Sequence, residues 1–230
     1  MNRLRGAGCV TAIATGTPLA VAVTLVLAGC APLSASNIAI PTPTSSATTS
    51  TSAGLVVTGS GWDASGIQGT VPAPGSCRYR TVPGSADVLP DPRCTPGAVD
   101  RAVTQDSLSD TVCRRGGYTA AVRPPLSLTA PMKRAIMAAY GIPATDATHY
   151  ELDHLVELSA GGSSDVRNLW PEPNSDAQRF TRNEYVHNDK DELESRMHDA
   201  LCRGTMSLTA VQTAMAGDWT SLATQAPAPG

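Results

Sequence analysis

"YELDHLVELSAGGSSDVRNLWPEP", residues 150–173, is the stretch that decides the fold. Its first part alternates enough to predict a β-strand, "AGGSSD" predicts a turn, and "VRNLW" predicts a second short strand. Asp153 and His154 then lie on the first strand, Asn168 lies on the second, and Gly161 and Gly162 supply the turn geometry. A carboxylate inside an apolar strand is costly without a partner, which favours a ligand role for Asp153.

Two helices are predicted after this strand pair. "NDKDELESRMHDALCRG" places Leu193, Met197 and Leu201 on one face and ends at Gly204. "SLTAVQTAMAGDW" begins at the candidate cap Ser207. The apolar side of this last helix carries Leu208, Val211, Met215 and Trp219.

A further helix is predicted before the strand pair, in "TAPMKRAIMAAYG". Thr129 is its candidate N-cap, Pro131 falls in the first turn, and Gly141 stops it. Its inward residues are Met132, Ile136 and either Ala139 or Tyr140. Residues 75–112 are dense in Pro, Gly and Asp, and predict a turn-rich segment. The fold class is therefore α+β, with a turn-rich N-terminal segment braced by a disulfide.

The N-terminal part predicts export. Arg3 and Arg5 precede the apolar run "PLAVAVTLVLAGC", and no acidic residue comes before Asp63, so residues 1–29 read as a signal peptide. Leu-Ala-Gly-Cys resembles the lipobox of bacterial lipoproteins, which implies an acylated Cys30; an ordinary secretory signal is the alternative. Residues 30–72 predict a disordered Ser/Thr/Pro-rich tether. Within them, "GLVVTGSGWD" either forms a short strand or continues the tether.

The domain is predicted over residues 73–222 and a frayed tail over 223–230. Loss of residues 1–29 removes two of the 17 basic residues and none of the 20 acidic ones, which leaves a net charge of −5. Net charge therefore argues against strong nonspecific DNA affinity. Five basic residues could offset it at a phosphate groove or could be scattered in solvent: Arg114, Arg115, Arg123, Lys133 and Arg134.

Four cysteines remain once Cys9 leaves with the signal and Cys30 takes a lipid. They are Cys77, Cys94, Cys113 and Cys202. An even count outside the cytoplasm predicts two disulfides, with three possible pairings. We favour Cys77–Cys94, which closes a local loop, and Cys113–Cys202, which joins the start of the domain to its end. A four-cysteine zinc site is disfavoured because no C-x-x-C pair exists.

Several motifs together resemble the HNH endonuclease family. They are "TVCRRGGYTAAVRPP", "YGI", "YELDHLVELSAGG", "NLWPEP", "KDELE" and "LCRG", spread over about residues 77–220. The series is similar to a subgroup of exported bacterial HNH-type proteins. This resemblance implies a small ββα-metal core and a metal-dependent endonuclease, an enzyme that hydrolyses phosphodiester bonds.

The resemblance also assigns roles to individual residues. His154 is expected to be the general base, with Asn168 accepting a hydrogen bond from its second ring nitrogen, and Asp153 is expected to bind a divalent metal. The second metal ligand is either His187, narrowly favoured, or Asn188. Lys190, Asp191 and Glu194 form either a solvated helix face or a support behind His187. The remaining histidines, His149 and His198, are expected in solvent or behind the site, and Trp170 in the core.

The expected cofactor is Mg²⁺, with Zn²⁺ or Mn²⁺ as alternatives. Nucleic acid is the expected partner, DNA ahead of RNA, together with a membrane reached through the lipid anchor; no protein partner is inferable. The expected location is extracytoplasmic and lipid-anchored, with a secreted form as the alternative. Two other functions stay open: a catalytically dormant HNH-fold lipoprotein that acts as a binding module, and a metal-assisted hydrolase of another phosphoester.

Overall fold

The computed structural model describes residues 54–174 and 188–224. These residues combine helices with short strands, which confirms the α+β class. The strands are β1 Val56–Thr58, β2 Trp62–Asp63, β3 Gly66–Ile67, β4 Arg80–Thr81, β5 Val88–Leu89, β6 Ala98–Asp100, β7 Tyr150–His154 and β8 Leu169–Pro173. The helices are α1 Thr119–Val122, α2 Leu126–Ala139, α3 Asp189–Cys202 and α4 Leu208–Asp218.

Residues 54–72 are part of the folded domain, which corrects the tether boundary expected at residue 72. The β-branched run of β1 pairs in parallel with β6, and β2 with β3 forms an antiparallel hairpin. Backbone hydrogen bonds join this segment to the β7–β8 connection, from the Ser164 amide to the Ser60 carbonyl and from the Val166 amide to the Gln68 carbonyl. Of the two readings of "GLVVTGSGWD", the strand is therefore the right one.

The strand pair predicted from residues 150–173 is present as β7 and β8. The two strands are antiparallel, with Asp153 opposite Trp170 and His154 opposite Leu169. Side chains alternate between the two faces of a strand, so Asp153 and His154 point to opposite sides. Asn168 lies in a 3₁₀ turn, Val166–Asn168, immediately before β8, and not on the strand where it was expected.

Two glycines allow the β7–β8 connection to fold back on itself. Gly161 has φ +78°, in the left-handed region that favours glycine. A Cβ on Gly162 would lie only 1.7 Å from the carbonyl oxygen of Val156. The turn role expected for this pair is confirmed, and at Gly162 the reason is a close backbone approach.

The helices follow the predicted periodicity, with one corrected boundary. In α3, Leu193, Met197 and Leu201 are buried as predicted. In α4, the Ser207 side chain caps the helix by accepting from the Ala210 amide. The N-cap of this helix was expected at Thr129 but is Pro125, four residues earlier, and Pro131 therefore lies inside α2.

Four buried residues of α4 and the turn that follows it match the predicted apolar side: Leu208, Val211, Met215 and Trp219. They pack in one core with Trp170, which is fully buried. In α2, Ile136 and Ala139 are buried as predicted, whereas Met132 and Tyr140 are only half-buried. The core therefore lies between α3, α4 and the Trp170 face of the β7–β8 pair.

Two disulfides brace the domain. They join Cys77 to Cys94 and Cys113 to Cys202, which is the favoured pairing. The second bond ties the end of α3 to the segment before α1. Within the described ranges, no helix has the length and apolar character needed to cross a membrane. Cys30 and the segments 1–29 and 225–230 lie outside the described residues.

Candidate functional site

His154 ends β7 with a buried imidazole. Its Nε2 lies 2.9 Å from the hydroxyl of Ser164, which is fully buried. Burial, followed by the charges of Arg123 and Lys190, lowers the pKa of His154 to about 3. The ring is therefore neutral, as a general base must be. At so low a pKa it holds a transferred proton weakly, and an anion beside it would strengthen that hold.

Asp153 forms an ion pair with a buried lysine. Lys190 Nζ lies 2.8 Å from Asp153 Oδ2, and the same oxygen accepts a hydrogen bond from Trp170 Nε1 at 2.6 Å. Lys190 also donates to the His154 carbonyl oxygen at 3.0 Å and to Glu194. Both contacts of Asp153 use Oδ2, so Oδ1 has no hydrogen-bond donor among the described residues.

Five carboxylates interact electrostatically with this one ammonium, and we call them the acidic cluster: Glu151, Asp153, Glu157, Glu172 and Glu194. Burial raises the pKa of Glu151 to about 8 and that of Glu157 to about 7, and it raises those of Glu172 and Glu194 well above the usual range. Burial alone would lower the pKa of Lys190, but the carboxylates raise it well above its ordinary value. The raised pKa values keep protons on several of these carboxyl groups near neutral pH, and a bound cation would have to displace those protons.

Glu157 is the member of the acidic cluster whose carboxylate lacks hydrogen-bond donors within the described ranges. Only 2 % of its surface is exposed, and both of its carboxylate oxygens are buried with no hydrogen-bond partner in the described part of the chain. A buried carboxylate without donors is costly unless it is protonated or bound to a cation. Glu157 lines a cavity of about 360 Å³ together with Asp153, His154 and Glu194.

Asn168 holds the β7–β8 connection and does not bond to His154, which corrects its expected role. Its Oδ1 accepts from the Val156 amide at 2.9 Å and the Ala98 amide at 3.3 Å. Its Nδ2 donates to the carbonyl oxygens of Val156 and Ser163 at 2.9 and 2.8 Å. The partner of the imidazole is instead Ser164, the residue after Ser163.

Asn168→Ala is expected to lower the free energy of unfolding by about 2 kcal/mol, because buried backbone groups of the connection lose their partners. Urea unfolding followed by tryptophan fluorescence measures this change. Asn174→Ala is the matched control, since the half-buried Asn174 side chain makes one hydrogen bond among the described residues, from Nδ2 to the Thr148 carbonyl oxygen. Equal stability of the two variants would contradict the structural role of Asn168.

The start of α3 separates the two candidates for the second metal ligand. Asn188 is the N-cap, with its Oδ1 accepting from the Asp191 amide at 2.9 Å and its Nδ2 donating to Glu151. Asp191 returns a bond to the Asn188 amide at 3.0 Å. These two residues are thus engaged in capping, and His187 lies outside the described residues. Lys190 is not part of a solvated helix face, since it is only 1 % exposed.

A second group of metal-ligand types lies elsewhere. One ligand atom each from Cys113, His198 and Cys202 fall within 4.8 Å of one another. The two cysteines form a disulfide, which has no thiolate to offer a metal, and His198 Nε2 is 3.0 Å from the Val112 carbonyl oxygen. With the disulfide intact, this group is a structural crosslink with an imidazole beside it.

Sequence reasoning missed four polar residues of the site. Glu151 and Glu172 had a usable signal: Glu151 lies two residues before Asp153 on a predicted strand, and the register places Glu172 opposite it. Glu157 and Ser164 lie in the connection between the strands, where no periodicity predicts which side chains point inward.

His149, expected either in solvent or behind the site, is exposed. Comparison with known proteins gives no relative: no family model, curated protein or solved structure matches the chain. The site must therefore be interpreted from its own chemistry.

Proposed function

We propose that this protein is a metal-dependent endonuclease with an HNH-like ββα core, which cleaves nucleic acid outside the cytoplasm. The observation that carries the proposal is the placement of Asp153 and His154. They are neighbours on β7 with opposite orientations, and both line one cavity whose wall includes the start of α3. An uncharged imidazole beside a carboxylate that can bind a cation is the pair that phosphodiester hydrolysis needs.

The donor set fits a hard divalent cation. Asp153 Oδ1 and the unpartnered oxygens of Glu157 supply carboxylate ligands, which Mg²⁺ and Mn²⁺ prefer. His187, immediately before the cap of α3, is the remaining candidate ligand. A cation bound there would stabilise negative charge on the phosphate. The chain's own part is to keep His154 neutral and to fix the orientation of its ring through Ser164.

One observation favours the dormant binding module as a second candidate. Lys190 already occupies one oxygen of Asp153, so the cluster is partly neutralised without any metal. A lysine in this position could replace the metal altogether, as a built-in cation. Metal binding and cleavage separate the two candidates.

Plasmid cleavage by the purified, oxidised protein tests the proposal. Supercoiled DNA is incubated with Mg²⁺, Mn²⁺ or Zn²⁺, with a chelator as control, and single-stranded RNA and a small phosphodiester serve as alternative substrates. Metal-dependent nicking is the expected result. Inactivity on DNA and RNA with every metal, together with no metal binding, would establish the dormant module instead.

Addition of Mg²⁺ or Mn²⁺ is expected to stabilise the folded protein, by about 2.7 kcal/mol at a free metal concentration 100 times Kd. Protons compete for Glu157, whose pKa is raised to about 7, so the gain is expected to be larger at pH 8 than at pH 6. Thermal unfolding with and without metal measures it.

Asp153→Asn is expected to lose this metal-induced gain, whereas Asp110→Asn, an exposed carboxylate away from the site, is expected to keep it. The comparison uses the gain and not the starting stability, because Asp153→Asn also breaks the ion pair with Lys190. An unchanged gain in Asp153→Asn would remove Asp153 from the ligand set.

The proposed location follows from the N-terminal sequence and the disulfides. Two disulfides in a domain of this size are typical of oxidising compartments. An export signal followed by a lipid on Cys30 would hold the domain at the outer face of the membrane. Mass spectrometry of the mature N-terminus would test this: an unmodified residue other than Cys30 would favour the secreted form.

A further inference from the structure

A second, larger cavity adjoins the acidic one on the other side of β7. It has a volume of about 630 Å³ and lies among α2, β3 and the face of β7 that carries His154. We call it the α2 groove, and its lining includes Ile67, Leu126, Leu152 and Leu169. Four residues line both cavities: Arg123, Glu151, Leu152 and His154. A ligand group placed at His154 would therefore lie at the junction of the two cavities.

The α2 groove combines an apolar floor with a cationic rim. Arg123 and Arg134 are exposed at its edge, and Lys133 is half-buried with its ammonium donating to the Ala147 and Tyr150 carbonyl oxygens. The chain as a whole has a net charge of −3, so the clustering of these three cations is a local feature of the groove. Glu151 is the one acidic residue in the described lining, so cations outnumber it three to one. The pattern is complementary to an anion attached to an apolar or aromatic body.

Leu126 adds a second sign of a binding surface. It is 78 % exposed at the first position of α2, and it is one of only two large hydrophobic residues so exposed in the described ranges. The other, Val57, is on β1 and lines neither cavity. An exposed leucine at the rim of an apolar cavity edged by cations indicates a contact surface more strongly than an isolated exposed leucine elsewhere on the surface would.

The position of Arg123 is fixed by its surroundings. The residue before it, Val122, accepts a hydrogen bond at its carbonyl oxygen from Trp62 Nε1 at 2.6 Å. Pro124 and Pro125 follow, and their rings restrict the backbone on the other side. The β2–β3 hairpin thus holds Arg123 between the two cavities, where a guanidinium can bind a phosphate by a pair of parallel hydrogen bonds.

We propose that the α2 groove binds an unpaired nucleobase adjacent to the phosphate held at His154, with Arg123 on that phosphate and Arg134 against the base. This inference rests on the proposed nuclease function and narrows its substrate to nucleic acid with single-stranded character. The volume suits one nucleotide, since small-ligand pockets span about 300–1,000 Å³. A base in a duplex has both faces stacked and cannot enter without being unpaired. The described lining has no aromatic ring apart from the His154 imidazole, so the base is held mainly by aliphatic contact and by the arginine planes.

Binding of fluorescein-labelled DNA to the full-length oxidised protein tests the groove. Binding is measured by fluorescence anisotropy, with a chelator present to prevent cleavage. Three probes of one sequence are compared: a 12-nucleotide single strand, the same strand with abasic sites, and the blunt duplex. The intact single strand is expected to bind at least about tenfold more tightly than the other two. Equal affinity for intact and abasic strands would overturn the proposal.

Leu126→Gln is expected to weaken single-strand binding by about tenfold, because the apolar area that Leu126 would bury against the bound base is lost. Val57→Gln is the matched control, and it is expected to leave affinity unchanged. Arg134→Gln is expected to weaken binding as well, compared with Arg115→Gln, an exposed arginine that lines neither cavity. No difference between Leu126→Gln and Val57→Gln would exclude the groove.

The same probes separate this inference from the proposed function. Metal-dependent plasmid cleavage, together with equal affinity for the intact and abasic strands, would support the nuclease and exclude base binding in the α2 groove. Base-dependent binding without metal-dependent cleavage would keep the groove as a binding site and overturn the nuclease. If anionic phospholipid vesicles bind through Leu126 and the oligonucleotides do not, the partner of the groove is a lipid surface and the proposal fails.

Discussion

His154→Ala is expected to reduce metal-dependent plasmid cleavage by at least about 10²-fold, the contribution of a positioned general base. The imidazole is neutral throughout the neutral pH range, because burial lowers its pKa to about 3. The variant therefore removes an imidazole that is already unprotonated and ready to accept a proton from water. Initial rates of nicking at saturating metal measure the loss.

Two further variants show whether the loss belongs to the base. His149→Ala removes an exposed histidine five residues earlier and is expected to keep full activity. Ser164→Ala retains the imidazole but removes its hydroxyl partner at 2.9 Å, so it is expected to lower the rate by about tenfold. Circular dichroism and thermal unfolding confirm that each variant is folded. Full activity of folded His154→Ala would exclude His154 as the base.

The largest stability effect is expected at Lys190. Lys190→Met is expected to lower the free energy of unfolding by about 3–5 kcal/mol, the usual cost of removing one partner from a buried ion pair. The ammonium is 1 % exposed and interacts with Asp153, Glu194, Glu172 and Glu157, which would be left as a group of like charges. Urea unfolding measures the change.

This loss is expected to depend on pH, with a sign set by the carboxylates. Glu157 has its pKa raised from 4.5 to about 7, so its stabilising protonation is fully present below pH 4.5 and is lost as the pH rises through 7. Without the ammonium, ionisation of the cluster costs more still. Lys190→Met should therefore be less damaging at pH 5 than at pH 8.

A double variant checks the cause of that loss. Lys190→Met with Glu194→Gln removes one carboxylate together with the ammonium, so it is expected to recover part of the stability at pH 8. Lys133→Met is a control for the loss of a half-buried lysine whose ammonium is bound by two backbone carbonyls. A loss in Lys190→Met that is equal at pH 5 and pH 8 would contradict the electrostatic explanation.

The strand pair and the three longer helices could be predicted because their signals are local. Alternation over residues 150–154 and the i, i+4 spacing of Leu193 and Met197 depend on neighbouring residues alone. The observed disulfide pairing was favoured among three possibilities because Cys77–Cys94 closes a local loop. The N-cap of α2 is Pro125, four residues before the predicted Thr129, because threonine is a common N-cap residue and Pro125 has no side-chain cap hydrogen bond to predict.

The polar contacts of the site were harder to predict, because they depend on the tertiary path of a connection with no periodicity. Asn168 was expected to accept a hydrogen bond from His154. The connection instead folds back so that the Asn168 side chain forms hydrogen bonds with the Val156 amide and carbonyl groups. Ser164 reaches the imidazole for the same reason. The burial of Lys190 could not be predicted either, since "NDKDELE" is typical of a solvent-exposed helix start.

The Cys113–Cys202 bond spans 89 residues and encloses α1, α2, β7 and β8 in one covalent loop. It cannot close until Cys202 has been synthesised, and the reducing cytosol does not favour its closure there. A chain that is exported would thus lack this bond in the cytosol and would acquire it only after export. For a nuclease, this order of events would make maturation a safeguard for the producing cell, and titration of activity against a thiol reductant would reveal it.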